Sequence, residues 1–189
     1  MGSSLCAITN SKLTGKETEE DWVIIMNKLI ALDMKRAINF DGSVDNNDWE
    51  YYIIDDKHSP VRVEYDSPCP IDLSLSKSVG ILSTIYRYYQ IYEIYGYGWL
   101  DSFRQDLYNV VKIAGGTEII YLPDSYVPQF AGYFDMAYDG EPYDLIKQKL
   151  IEEFGQPATD YSKLDSEKLD YDAITEFILD DFADLKKQE

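Results

Sequence analysis

The stretch WEYYIIDDKHSPVRVEYD, residues 49 to 66, holds two runs rich in β-branched and aromatic residues on either side of a polar turn. Val, Ile and Tyr favour extended strands, and the Lys-His-Ser-Pro segment between the runs carries turn-forming residues. The pattern therefore predicts a β-hairpin made of residues 49–55 and 61–66. A third candidate strand, KRAINF at residues 35–40, precedes the hairpin, and the Asp-Gly-Ser turn at residues 41–43 follows it directly. Together these segments predict an antiparallel meander.

Apolar residues at spacings of three and four predict amphipathic helices around these strands. The first helix follows Thr18, a suitable N-cap, and its acidic first turn matches the positive end of the helix dipole. In the last predicted helix, we expect an apolar stripe to face the core while Asp180, Asp181 and Asp184 face solvent. The predicted helical segments are residues 15–33, 76–95, 99–116, 143–155 and 171–187.

Two further apolar segments, residues 4–10 and 117–122, complete the predicted sheet. The fold class predicted is α+β: a small antiparallel sheet of four to five strands packed by helices on one face, with a mainly helical C-terminal half. We expect residues 1–189 to form a single domain. A Pro-Cys-Pro break allows a subdivision into a strand-rich part, residues 1–70, and a mainly helical part, residues 76–189.

Negative charge dominates the composition. The chain has 35 acidic residues against 17 basic ones, which gives a formal net charge of -18. Nucleic acids and anionic lipids are bound by clustered Lys and Arg, so this balance predicts neither direct nucleic-acid binding nor membrane binding. A cationic partner is attracted instead. A charge of this size is also compatible with a role in solubility alone, and both interpretations stay open.

The sequence also carries signals about location. No apolar run reaches the roughly 20 residues needed to span a bilayer, and the N-terminus lacks the basic and apolar segments of a secretory signal. Two cysteines, Cys6 and Cys69, are too few for a disulfide scaffold. We therefore expect a cytoplasmic protein with reduced thiols.

The sequence gives only weak evidence for catalytic or metal-binding residues. Residues 39–50 place oxygen-bearing side chains at calcium-loop spacing, but Val44 occupies the position that needs glycine. His58 is the single histidine, and Ser59 and Asp56 lie beside it in one polar turn, whereas triad members normally come from separate segments. No phosphate-binding or dinucleotide motif is present. The sequence therefore predicts no catalytic residue, no metal site and no cofactor.

The tyrosines suggest a surface for protein contact. Seventeen are present, and six of them crowd into residues 86–97. Some of these rings are expected in the core, and others suit an interface because tyrosine combines a rigid apolar area with a polar tip. Both interpretations, core alone and core with an interface, stay open.

The function that these features favour is a non-enzymatic acidic protein that neutralises a basic protein by occlusion. In composition alone the chain resembles bacterial immunity proteins, although no motif marks a family. The protein neutralised would be a nuclease-type toxin, or the chain would act as a phage-style mimic of nucleic acid. A carboxylate-dependent enzyme acting on a neutral or cationic small molecule, and a structural or adaptor module, are the alternatives. The oligomeric state is left open. The predicted partner-binding residues are Asp41, Asp45, Asp48, Asp55, Asp56, Tyr95 and Tyr97.

Overall fold

The computed structural model confirms a protein of mixed helices and strands. The candidate strand at residues 35–40 and the loop of calcium-type spacing fall largely outside the part of the chain that the structure describes. The residues described are 4–14, 16–32, 50–54, 62–66, 72–76, 79–87, 95–122, 128–164 and 176–189.

Within the described residues, seven strands form one sheet in the order β2-β3-β4-β5-β1-β6-β7, and every neighbouring pair is antiparallel. The predicted count of four to five strands is therefore not confirmed. The hairpin predicted from residues 49–66 is present as β2 and β3, with Tyr52 opposite Glu64. The strands are β1 (Ser4–Asn10), β2 (Glu50–Ile54), β3 (Arg62–Asp66), β4 (Asp72–Ser76), β5 (Val79–Arg87), β6 (Ile119–Leu122) and β7 (Ile178–Asp180).

The helices begin and end at residues whose chemistry explains their bounds. Thr18 caps the first helix as predicted, in a reciprocal capping box with Asp21. The second helix ends before Gly115, which has a φ of 75°. None of the described helices is long and apolar enough to cross a membrane. The helices are α1 (Glu19–Ile30), α2 (Trp99–Ile113), α3 (Pro128–Tyr138), α4 (Tyr143–Phe154) and the short α5 (Ala183–Lys186), with a 3₁₀ turn at Tyr161–Leu164.

Helices cover both faces of the sheet, whereas the sequence predicted one face. Side chains of a strand alternate between faces, and in β6 Ile119 joins one core cluster while Ile120 joins another. The first cluster contains the buried residues of α1 and α2, and the second contains those of α3 and α4. The central strands are thus enclosed between two helical layers.

The helix predicted at residues 76–95 is wrong over Val79–Arg87, and this is the largest error of the sequence prediction. The structure places β5 in this segment, hydrogen-bonded to β4 on one edge and β1 on the other. Gly80 lies between these neighbours, and a Cβ there would stand 3.0 Å from side-chain atoms of both Leu75 and Thr9. An interior strand has a nearly continuous apolar sequence, so its spacing does not distinguish it from a buried helix.

The predicted C-terminal helix at residues 171–187 is wrong at Ile178–Asp180, which form β7, and within its described part only Ala183–Lys186 is helical. Strand β7 pairs with β6, and Phe182 then adopts a left-handed conformation with a φ of 54° that separates β7 from α5. Asp180, which was expected to face solvent, is buried. Asp181 and Asp184 are exposed, as predicted.

Candidate interaction surface

All five acidic residues predicted to bind a partner lie outside the described residues, and their role stays a prediction. The same applies to His58 and Ser59. The five predicted carboxylates concerned are Asp41, Asp45, Asp48, Asp55 and Asp56.

The two predicted tyrosine anchors have opposite environments. The Tyr95 ring is only 6% exposed, packs edge-on against Phe103 at 5.4 Å, and its hydroxyl donates a hydrogen bond of 2.7 Å to Asp106. Tyr97 is 99% exposed. It lies between Gly96 and Gly98, whose φ values of 79° and 73° form the turn that presents it. Of this pair, only Tyr97 is available on the surface.

Four exposed carboxylates surround the connection between α3 and α4, and we call this group the acidic turn. Asp135, Asp139, Glu141 and Asp144 are all exposed. Within the part of the chain that the structure describes, none of them forms an ion pair. The sequence contains no lysine or arginine from residue 113 to residue 146, so no cation of this stretch neutralises the turn.

Backbone hydrogen bonds hold the acidic turn in one conformation. Glu141 N donates to Met136 O at 3.0 Å and Gly140 N donates to Ala137 O at 3.0 Å, the two bonds of a Schellman motif. Gly140 supplies the left-handed conformation, with a φ of 74°. The chain therefore turns tightly and brings the end of α3 next to the start of α4.

The nearest lysine of α4 is already paired away from the acidic turn. Lys147 Nζ lies 2.7 Å from Glu118 Oε1, and the Tyr143 hydroxyl donates to the same oxygen at 2.8 Å. Burial and the Glu118 charge raise the pKa of Tyr143, so its hydroxyl stays protonated as the donor. These contacts pair Lys147 with Glu118 and tie α4 to the start of β6.

A second contact holds α3 against α4. The Tyr133 hydroxyl donates to Glu153, and burial together with that carboxylate raises the pKa of Tyr133 to about 12. The Phe154 ring packs against both Phe130, at 4.7 Å, and Tyr133, at 6.0 Å. The two helices that carry the acidic turn are consequently packed together at their ends remote from the turn.

Three apolar side chains of α1 are partly exposed. Val23, Ile24 and Ile30 are 44%, 52% and 45% exposed. The buried side of the helix contributes Trp22, Ile25, Met26 and Leu29 to the core. Val23 and Ile30 border that buried side, and Ile24 lies about 120° around the helix from Ile30.

Sequence reasoning missed a buried ionic cluster around Arg104. Its guanidinium makes two hydrogen bonds to Asp180 and two to Asp184, while the Tyr161 ring covers it at 3.9 Å. Burial acts to lower the pKa of Arg104, but the two carboxylates outweigh it and raise that pKa. The sequence offered two signals for this cluster: several acidic residues near the C-terminus, and a single arginine in α2. Four of the five guanidinium N–H groups donate to the two carboxylates, which indicates a structural role.

No metal site is found among the described residues, since no three side chains of His, Cys, Asp or Glu come together in a suitable group. Cys6 is a buried free thiol in β1. Comparison of the chain with family models, with curated proteins and with solved structures found no match. The candidate site is therefore defined by surface charge and shape alone.

Proposed function

We propose that this protein binds a basic protein and neutralises it by covering its positively charged site. The observation that carries the proposal is the acidic turn: four exposed carboxylates without an ion-pair partner among the described residues, in a stretch without lysine or arginine. Unpaired carboxylates on a joined pair of helices are free to accept hydrogen bonds from Lys and Arg of another protein.

The charge of the whole chain supports the same partner. A net charge of -18 produces a negative potential that raises the encounter rate with a cationic protein and repels an anionic one. This long-range attraction does not depend on the position of any single carboxylate. The acidic turn adds local hydrogen-bond acceptors to it.

Occlusion is the mechanism that this chemistry favours. A protein that binds nucleic acid holds phosphates with Lys and Arg, and Asp and Glu side chains present the same kind of charged oxygen acceptor. An acidic protein seated on such a site excludes the nucleic acid without any reaction. The proposed class is an immunity protein to a nuclease-type toxin or a nucleic-acid mimic.

The test is a competition assay with the basic protein encoded next to the gene. We expect this chain to displace a fluorescent DNA or RNA from that protein at a stoichiometry near one. A quadruple variant of the acidic turn, Asp135→Asn, Asp139→Asn, Glu141→Gln and Asp144→Asn, should displace it less effectively. The matched control is Leu145→Ser, which alters an exposed side chain of α4 without changing the charge. Failure to displace nucleic acid from any basic neighbour contradicts the proposal.

A further inference from the structure

Tyrosine hydroxyls are recurring partners of carboxylates in this protein. Five different tyrosines each donate a hydrogen bond to a different Asp or Glu, and we call these contacts the tyrosine–carboxylate pairs. The pairs are Tyr95 with Asp106, Tyr108 with Glu189, Tyr133 with Glu153, Tyr143 with Glu118, and Tyr161 with Asp101.

The tyrosine–carboxylate pairs join separate parts of the fold. Their members are between 11 and 81 positions apart in the chain. Tyr133 of α3 bonds to Glu153 of α4, and Tyr161 of the 3₁₀ turn bonds to Asp101 of α2. Hydrogen bonds to ionised groups are stronger than those between neutral groups. The pairs therefore contribute to the packing of helices and turns that are distant in sequence.

A hydroxyl donor differs from a lysine or arginine in its charge. It satisfies an ionised carboxylate without cancelling the negative charge. Asp101 and Glu153 are exposed, and within the residues that the structure describes neither forms an ion pair with a lysine or arginine. With 17 basic residues for 35 acidic ones, the chain thus holds some of its carboxylates by neutral donors.

These contacts require the proton of each hydroxyl. A tyrosine that loses its proton becomes an anion at hydrogen-bond distance from another anion, so attraction is replaced by repulsion. The charged groups that act on Tyr133 are Glu153 and Glu152 of α4. Beside the other tyrosines lie Asp106 for Tyr95, Glu189 and Lys112 for Tyr108, Glu118, Lys147 and Asp144 for Tyr143, and Asp101, Arg104 and Asp184 for Tyr161.

We propose that the tyrosine–carboxylate pairs are a pH-sensitive device of the fold, in which protonated hydroxyls join neighbouring elements and the contacts are lost in alkali. The device holds carboxylates and leaves their charge in place. This inference does not rest on the proposed function, and it accounts for the coexistence of 17 tyrosines with a net charge of -18.

Tyr133→Phe is the most direct test, because it removes one hydroxyl and leaves the exposed Glu153 accessible to water. Burial and Glu153 raise the pKa of Tyr133 to about 12, from an ordinary value of 10.0. A group whose pKa is higher in the folded state stabilises the fold below its unfolded pKa, and that contribution is lost as pH rises through the folded pKa. The urea midpoint of Tyr133→Phe should therefore be lower than that of wild type below about pH 9, and the difference should be half lost near pH 11.

The matched control is Tyr97→Phe, which removes the hydroxyl of a ring that is 99% exposed. Its urea midpoint should equal that of wild type at every pH. A Tyr133→Phe variant that matches wild type below about pH 9, or whose difference from wild type does not change with pH, would overturn the proposal.

A second measurement follows the proton itself by the ultraviolet absorbance of tyrosinate. Glu153→Gln keeps a hydrogen-bond acceptor and removes the charge, so one tyrosine should lose its proton at a lower pH than in wild type. Glu152→Gln, whose carboxylate does not bond to Tyr133, should shift the titration less. A Glu153→Gln variant that titrates like wild type would show that the carboxylate does not act on the tyrosine, and the proposal would be wrong.

Discussion

Arg104 in α2 and Asp180 in β7 are 76 positions apart in the chain and form a two-point ion pair inside the protein. Nε lies 2.5 Å from Oδ2 and Nη2 lies 2.8 Å from Oδ1. Their side chains are 5% and 4% exposed. The pair joins the C-terminal strand to the helix beneath it, and neither residue can lose its partner without leaving a charge buried.

We predict that Arg104→Met lowers the free energy of unfolding by about 3 to 5 kcal/mol, because Asp180 is left buried without its counter-charge. Urea denaturation at pH 7 measures the change. The control is Lys163→Met, which breaks an exposed pair with Glu176 and should change stability by less than about 1 kcal/mol. Equal effects of the two substitutions would contradict a buried pair.

The same cluster makes the free energy of unfolding depend on pH in the acidic range. Hydrogen bonds from Arg104 lower the pKa of Asp184 to about 2, from an ordinary value of 3.8. A carboxyl whose pKa is lower in the folded state stabilises the fold above its unfolded pKa, and that contribution disappears as pH falls through the folded pKa. Asp184→Asn should therefore lose about 1 kcal/mol at pH 7, a value reduced for the half-exposed position of Asp184.

The stability difference between wild type and Asp184→Asn should be full above about pH 4 and should vanish near pH 2. Urea titrations at several pH values measure it. A difference that stays constant over this range would show that Arg104 does not act on the ionised form of Asp184.

Two glycines offer a matched pair of alanine substitutions. A Cβ on Gly116 would stand 2.3 Å from Asn10 O and 2.8 Å from Val111 Cγ1, so Gly116→Ala should destabilise the protein by about 2 to 3 kcal/mol. A Cβ on Gly132, within α3, meets nothing within 4 Å, and Gly132→Ala should add about 0.5 to 1 kcal/mol. Thermal unfolding of both variants is the measurement. A harmless Gly116→Ala would disprove the close approach of the two chain segments.

Association kinetics test the role of the acidic turn. Neutralising it should lower the association rate with a basic partner about tenfold at low salt, and it should also raise the dissociation rate, because hydrogen bonds to the partner's Lys and Arg are lost. The control Leu145→Ser should leave both rates nearly unchanged. Stopped-flow mixing and surface plasmon resonance give both rates. An association rate that does not change on neutralising the acidic turn would contradict its part in attracting the partner.

The sequence correctly predicted those elements for which the capping residue and the apolar spacing indicate the same bounds. Thr18 and the apolar spacing of α1 located that helix, and the hairpin of β2 and β3 followed from its β-branched residues and polar turn. The helix predicted at residues 99–116 is present as α2, and it stops at Gly115 because that residue is left-handed. These features depend on residues near each other in the chain.

Long-range pairing decided the elements that the sequence did not predict. Residues 79–87 have apolar spacing compatible with a helix, and only their hydrogen bonds to β1 and β4 make them a strand. Asp180 looked like a solvent-facing acid, since its partner Arg104 lies in a distant helix. No element was predicted for α3, which contains Gly132 and begins at a proline. The acidic turn was missed for that reason, although its charge was visible in the sequence.

The central claim is that negative charge brings this protein onto a basic partner, and the salt dependence of the affinity tests it most directly. Isothermal titration with the basic protein encoded next to the gene, at about 50 mM and about 500 mM salt, gives the two dissociation constants. We predict a complex of one to one at low salt whose dissociation constant rises at least about tenfold at high salt. An affinity that does not change with salt, or no binding at either concentration, would contradict the account.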